Sequence, residues 1–297
     1  MAYLHSMRQP PKAGLMPEFR KSEWICLAYF AYTSAVAAVH PLPLSVRIEV
    51  WLADAAVFAA LALLALPAVA RRPALAVVRD WLPLALILLA YRQMGWMALP
   101  HENRNFENYW IALDRLLLHR WGLKRAIESA GALIPNLLEL SYLLVYVMPV
   151  AMTATLYALG ARAKLEAAYR IVLSATLATY ALYPFFPSEP PRTVFPDADL
   201  PVMSALRAFN LRILGAYGIH MSVFPSGHSA AAFACAFAVR LLLPLHRLAG
   251  CAFLILAVLI AVATVYGRYH FAIDTLAGLG MALAALFLHR AVSRRAG

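Results

Sequence analysis

The sequence predicts an all-α, polytopic membrane protein with about eight transmembrane helices and a C-terminal helical core, and three observations carry that prediction. The first is composition: 63% of the 297 residues are hydrophobic and 14% are charged, with a mean hydropathy of +0.69. Soluble domains run near half apolar and a quarter charged, so this much apolar surface cannot be hidden inside one water-soluble core. The second is spacing. Apolar stretches near residues 24–39, 51–70, 82–99, 137–159, 168–186, 228–244, 250–266 and 272–289 approach or reach the roughly 20 residues a helix needs to cross the hydrocarbon layer. The third is charge, because the basic residues fall on alternate loops.

The first stretch follows Arg20 and Lys21 and ends in Ala35, Ala37 and Ala38, a pattern that also fits a cleavable signal peptide; we read it as a retained anchor. Residues 1–100 have little polar content inside their spans and read as scaffold helices. Residues 101–132 mix Tyr109, Trp110 and Trp121 with Arg104, Arg115, Arg120, Lys124 and Arg125, as expected of an amphipathic segment lying in the headgroup layer. From residue 133 to residue 297 the spans are tightly spaced and the polar residues become specific in type, so any chemistry belongs there. Pro184, Pro187, Pro190, Pro191 and Pro196 end the fifth stretch, since proline lacks the amide that would continue a helix. Cys26, Cys235 and Cys251 all lie within apolar stretches and suggest neither a disulfide framework nor a metal pair.

The formal charge of +11 invites a nucleic-acid reading, but its distribution excludes that partner. Arg8, Lys12, Arg20 and Lys21 precede the first stretch, Arg71, Arg72 and Arg79 follow the second, and Arg162, Lys164 and Arg170 follow the fourth. Arg240 and Arg247 flank the link after the sixth, and Arg290, Arg294 and Arg295 close the chain. The positive-inside rule puts these loops and both ends in the cytoplasm and sends residues 100–136 and 187–227 to the other side. In the second of those connections Arg192, Arg207 and Arg212 are balanced by Glu189, Asp197 and Asp199. The partner implied is the bilayer itself; short loops and no organellar presequence point to a bacterial inner membrane.

Pro225, Ser226, Gly227 and His228 stand directly before the sixth stretch. Serine and glycine at a helix start leave backbone amides free, the helix dipole adds attraction for an anion, and glycine permits close approach, so Ser226 and Gly227 read as a phosphate cradle beside His228. His270 and Asp274 are spaced i, i+4 at the start of the last stretch and share one helix face. A carboxylate bonded to one ring nitrogen fixes the tautomer and exposes the other nitrogen as a nucleophile. Counting crossings brings His228 and His270 to the same membrane side. There His270 can attack phosphorus while His228 protonates the departing oxygen. Arg192 and Arg268 fall on that side too and could grip phosphate oxygens, with no metal or organic cofactor required. Glu139, with Tyr142 one turn on, is a candidate contact to a substrate headgroup or a polar contact between helices. His40, His101, His119, His220, His246 and His289 read as interfacial residues.

Over residues 133–290 these motifs resemble the type 2 phosphatidic acid phosphatase superfamily of membrane lipid phosphatases. Pro225 to His228 matches its middle motif, and His270 and Asp274 match the end of its last one; the resemblance implies that His228 is the leaving-group acid and His270 the nucleophile. The usual first motif has a lysine seven residues before an arginine and proline, and the usual last motif an arginine six residues before the nucleophile. Phe185 and Thr264 stand in those places here, and Thr193 follows Arg192. The stretch Thr264 to Asp274 and the segment Asp114 to Tyr146 look more like the inositol phosphorylceramide synthase branch, in which a lipid or alcohol hydroxyl resolves the covalent intermediate. The resemblance thus implies a lipid phosphatase or headgroup phosphotransferase acting on a lipid phosphate or phospholipid. The competing expectation is a transporter or scramblase that binds anionic lipid at the same polar site without turning it over.

Overall fold

Inside a bilayer a backbone amide has no water to bond, so apolar stretches fold as helices that satisfy their own N–H and C=O groups. The computed structural model describes residues 16–97, 105–196, 199–219, 221 and 224–295, and these contain helices and no strand. The N-terminal helices are α1 (Lys21–Val39), α2 (Leu44–Ala65) and α3 (Pro73–Met97), with a single turn, Pro67–Ala70, between the last two. Two short helices follow, α4 (Asn105–Arg115) and α5 (Leu123–Glu128), joined by a π-helical turn over Leu116–Arg120. Then come α6 (Leu133–Leu144), α7 (Met148–Ala158), α8 (Leu165–Leu182), α9 (Ala205–Tyr217), α10 (Gly227–Leu242), α11 (Arg247–Tyr266) and α12 (Ala272–Arg295).

Helices α1, α2, α3, α11 and α12 are long and apolar enough to cross a membrane, and the α6–α7 pair makes a sixth if its two arms form one span. The expectation of about eight included two helices outside that set. Helix α10 has only 16 residues, and α8 carries Glu166 and Arg170 in its first turns. The stretch expected to run straight from 137 to 159 is instead bent by 71° between α6 and α7. Pro149 explains the break: in an unbroken helix its ring would clash with the carbonyl of Val145 four residues back, and it offers no amide to continue the ladder.

Helix α10 sits at the centre, packed against α7, α8, α11 and α12. Ala230, Ala232, Ala234, Ala236 and Ala238 are all fully buried, and small side chains let helix backbones approach closely where no hydrophobic drive separates helix from lipid. The same buried apolar cluster contains Cys26, Phe30 and Ala37 of α1 and Ala90 and Met94 of α3, so the N-terminal helices share one core with the rest. These helices hold more buried polar groups than their sequence suggested. Asp54 accepts hydrogen bonds from Thr33, Ser34 and Gln93 between α1, α2 and α3.

Candidate active site

The start of α10 is built by close contacts. Ser226 caps it, its Oγ accepting from the Ser229 amide at 3.2 Å. The Ser226 amide donates to the Asp274 carbonyl at 2.9 Å, which ties the start of α10 to α12. Gly278 makes this possible, since a Cβ there would lie 2.4 Å from the Ser226 carbonyl oxygen. Gly227 is equally constrained: a Cβ would sit 2.6 Å from the Tyr180 ring and 2.9 Å from the Tyr183 hydroxyl. The expectation of two free cradle amides is therefore corrected. That of Ser226 is spent on Asp274, and that of Gly227 donates to Tyr183 Oη at 3.1 Å.

His270 stands on the loop between α11 and α12, buried to 4% exposure. Its amide donates to the Thr264 carbonyl at 3.0 Å, so Thr264 holds the loop by its backbone, while its hydroxyl bonds Ala261 and Thr275. Asp274, fully buried, accepts from the Phe271 amide at 2.8 Å and lies 3.5 Å from His270 Nδ1. The other ring nitrogen, Nε2, is 3.1 Å from Nδ1 of His228, 42 residues away in sequence. A proton on His270 Nδ1, facing the carboxylate, leaves Nε2 with its lone pair outward. Tyr142 stacks on His228 at 5.1 Å and on Tyr269 at 3.8 Å, fixing the plane of the His228 ring. Two buried polar atoms of this group, His228 Nε2 and Asp274 Oδ1, have no hydrogen-bond partner among the described residues.

The arginines divide. Arg192, in the single turn Pro191–Val194, lines a small cavity with His228, His270, Tyr91, Tyr142, Tyr183 and Tyr269. Among the described residues no carboxylate pairs with it, and burial pulls its guanidinium below the ordinary value. Arg268 does not reach this cavity, which corrects the expectation of a second phosphate grip. It is fully buried, donates to Asp114 at 3.1 Å, lies 3.1 Å from His119 Nε2 and packs on the Phe195 ring. Its backbone adopts φ 60°, sparsely populated for a residue with a side chain, and its carbonyl accepts the Arg192 amide at 2.9 Å. Arg268 thus positions Arg192. His119, expected to be a bystander, belongs to that brace; His101 and His220 lie outside the described residues.

Glu139 likewise does not line this cavity. Its carboxylate accepts from Arg207 at 3.0 Å, Asn210 at 2.8 Å and the Tyr269 hydroxyl at 2.5 Å, so it joins α6 to α9 and to the loop that carries His270. Of the two reading options for Glu139, the contact between helices is the one observed. Tyr142, its partner in the headgroup expectation, does line the cavity. Phe185, in the place where a lysine was looked for, is 61% exposed.

A second cavity adjoins the first and shares Tyr91 and His228 with it. It is an apolar groove walled by Leu84, Ile87 and Leu88 of α3, by Val145, Pro149 and Val150 at the α6–α7 bend, and by Ala231 of α10. Sequence reasoning missed Tyr91 and Tyr183, because a tyrosine within an apolar run resembles packing or an interface belt. It also left Asp114 without a role. The signal available was position: Tyr91 lies in the last two turns of α3 on the histidine side, and Tyr183 follows α8 two residues before Phe185.

A profile of the PAP2 superfamily matches residues 108–288, a segment that holds His228, His270, Asp274 and Arg192 and leaves α1, α2 and α3 outside. No curated protein and no solved structure shows a significant match. The apolar helices and the match together make this an integral membrane protein of a superfamily of phosphatase-type enzymes that act on lipid phosphates. With more than half of its length matched, the chain belongs to the PAP2 superfamily.

Proposed function

We propose that the chain is a membrane-embedded lipid phosphatase or lipid-headgroup phosphotransferase that works through a phosphohistidine on His270. The observation that carries this reading is the 3.1 Å approach of His270 Nε2 to His228 Nδ1, with Asp274 behind the first ring and unpaired Arg192 in the same cavity. A substrate phosphate replaces that nitrogen–nitrogen contact. The Nε2 lone pair forms a bond to phosphorus, the bond from phosphorus to the leaving oxygen breaks, and His228 delivers its proton to that oxygen. Asp274 stabilises the imidazolium this creates, and Arg192 neutralises charge on the non-bridging oxygens. In the second step a hydroxyl attacks phosphorus, its proton goes to His228 and the nitrogen–phosphorus bond breaks. That hydroxyl belongs to water in a phosphatase and to a lipid or alcohol acceptor in a transferase.

The groove supports a lipid substrate, since its apolar walls continue from the histidine cavity and suit a hydrocarbon chain. An extracytoplasmic site is supported by charge: Arg71, Arg72, Arg162, Lys164, Arg240 and Arg247 lie at the helix ends opposite to His228 and His270. Non-cationic residues at Phe185 and Thr264 favour the inositol phosphorylceramide synthase-like branch and hence transfer.

The test is turnover by purified protein given phosphatidic acid, a polyprenyl diphosphate, or phosphatidylinositol with ceramide, with released phosphate and new lipids both measured. His270→Ala should abolish turnover and leave the fold intact. Equal turnover in that variant would end the proposal, and lipid flux without turnover would instead favour a transporter or scramblase. Titrating the acceptor separates the two enzyme forms: product should shift from free phosphate to lipid ester if transfer is native.

A further inference from the structure

Two phenols in the cavity are set up differently from the rest. A tyrosine hydroxyl has one proton to give and lone pairs to accept. Tyr269 spends its proton on Glu139 at 2.5 Å. Tyr183 and Tyr91 instead act as acceptors, Tyr183 from the Gly227 amide at 3.1 Å and Tyr91 from the Ile219 amide at 3.1 Å. Their protons have no acceptor among the described residues, though Tyr183 is 3% exposed and both side chains line the cavity that holds Arg192 and the histidines. A buried donor without an acceptor costs about 1–3 kcal/mol, so such a pair persists where an incoming group supplies the acceptors.

The charge inventory says which group. At the two places where the resembled motifs carry a lysine and an arginine, Phe185 points outward and Thr264 is bonded to Ala261 and Thr275. Arg268 is committed to Asp114. Among the described residues Arg192 is left as the guanidinium in the cavity, and the tyrosine donors around it are neutral. A tetrahedral oxyanion has more lone pairs than one guanidinium can satisfy.

We propose that Tyr91 and Tyr183 donate their hydroxyl protons to the non-bridging oxygens of the substrate phosphate, serving as the neutral half of a cradle whose charged half is Arg192. The backbone amides of Gly227 and Ile219 aim the two phenols by occupying their acceptor side. Because α3 lies outside the matched segment, this makes the N-terminal helices part of the site through Tyr91 and not scaffold alone. The inference rests on the phosphoryl-transfer reading above.

The experiment is binding of orthovanadate, a phosphate mimic, to the full chain in detergent micelles by calorimetry, well below each variant's unfolding temperature. Tyr91→Phe and Tyr183→Phe should each weaken binding about tenfold, the value of a lost hydrogen bond to a charged acceptor, and the double variant more than either. Tyr32→Phe loses a hydroxyl bond of similar kind, to the Ala181 carbonyl at 2.5 Å and away from the cavity, and should bind like wild type. If Tyr183→Phe fails to fold after losing the Gly227 acceptor, Tyr91→Phe carries the test alone. Binding within twofold of wild type in the phenylalanine variants, with wild type bound and His270→Ala not, overturns the phenol cradle and leaves the reaction standing. No binding by wild type overturns both.

Discussion

The two polar ends of the helix bundle solve opposite problems. At the end where α1 and α3 begin, Glu23 is held by Arg79 through both oxygens, at 2.5 and 2.6 Å, and Asp80 accepts from Arg20, Arg162 and Tyr157 at 2.6 to 2.7 Å. Every acid in that network faces a cation. At the other end, among the described residues, Arg192 has no carboxylate and one atom each of His228 and Asp274 lacks a partner. Balanced pairs fix helices in register, whereas in the proposed site a guanidinium and two phenols lack, among the described residues, the acceptors that an anion would supply. The difference teaches that burial of charge alone does not mark function.

The sharpest way to break the comparison is Asp274→Asn. The amide oxygen can take the place of Oδ2, which accepts from Phe271 and faces His270 Nδ1, but the negative charge that stabilises the His270 imidazolium is gone. Turnover should drop about 10³- to 10⁴-fold with the unfolding temperature nearly unchanged, as measured by phosphate release and thermal melts. A drop in stability with little loss of turnover per folded molecule would move Asp274 into the balanced class.

At the balanced end, Arg79→Ala strands the buried Glu23 carboxylate and should cost about 3–5 kcal/mol of stability, read by denaturant titration in mixed micelles. Turnover per folded molecule should hold. Its mirror image is Arg192→Ala, expected to lower kcat/KM about 10²-fold with little change in stability, and Arg192→Lys should recover only part because a point charge lacks the planar fork.

The smallest effect concerns Asp114, which joins the two classes. Burial pushes its carboxyl up to about 7 against the opposing pull of Arg268 and the Ala272 amide. Between roughly pH 4 and 7 the folded chain then keeps a proton that the unfolded chain releases, so stability falls as pH rises through that window and levels off above it. Asp114→Asn should flatten that slope, which unfolding midpoints collected at stepped pH will reveal. An unchanged slope would assign the titration to another group.

Much of the site was legible because its chemistry needs short fixed spacings. Pro225 to His228 and the i, i+4 pair of His270 and Asp274 are local, so the sequence carries them in the open, as it carries the helical, membrane-embedded class through composition. The arginines and Glu139 were less legible. Arg192 and Arg268 look alike on the chain, yet one faces the cavity and the other is claimed by Asp114, 154 residues away. Glu139 found Arg207 and Asn210, 68 and 71 residues on.

By itself, then, the sequence determined that the chain is helical and lives in lipid, and which two imidazoles and which carboxylate are candidates for chemistry. Those properties follow from side-chain hydrophobicity and from periodicity within a few turns. Only the tertiary structure decided that the α6–α7 arm bends beside an apolar groove, which arginine faces the cavity, and that Tyr91 and Tyr183 reach the same cavity. Hydrogen bonds and ion pairs are exclusive and short-ranged, so which partner a buried donor finds depends on helices far apart in sequence meeting within about 3 Å.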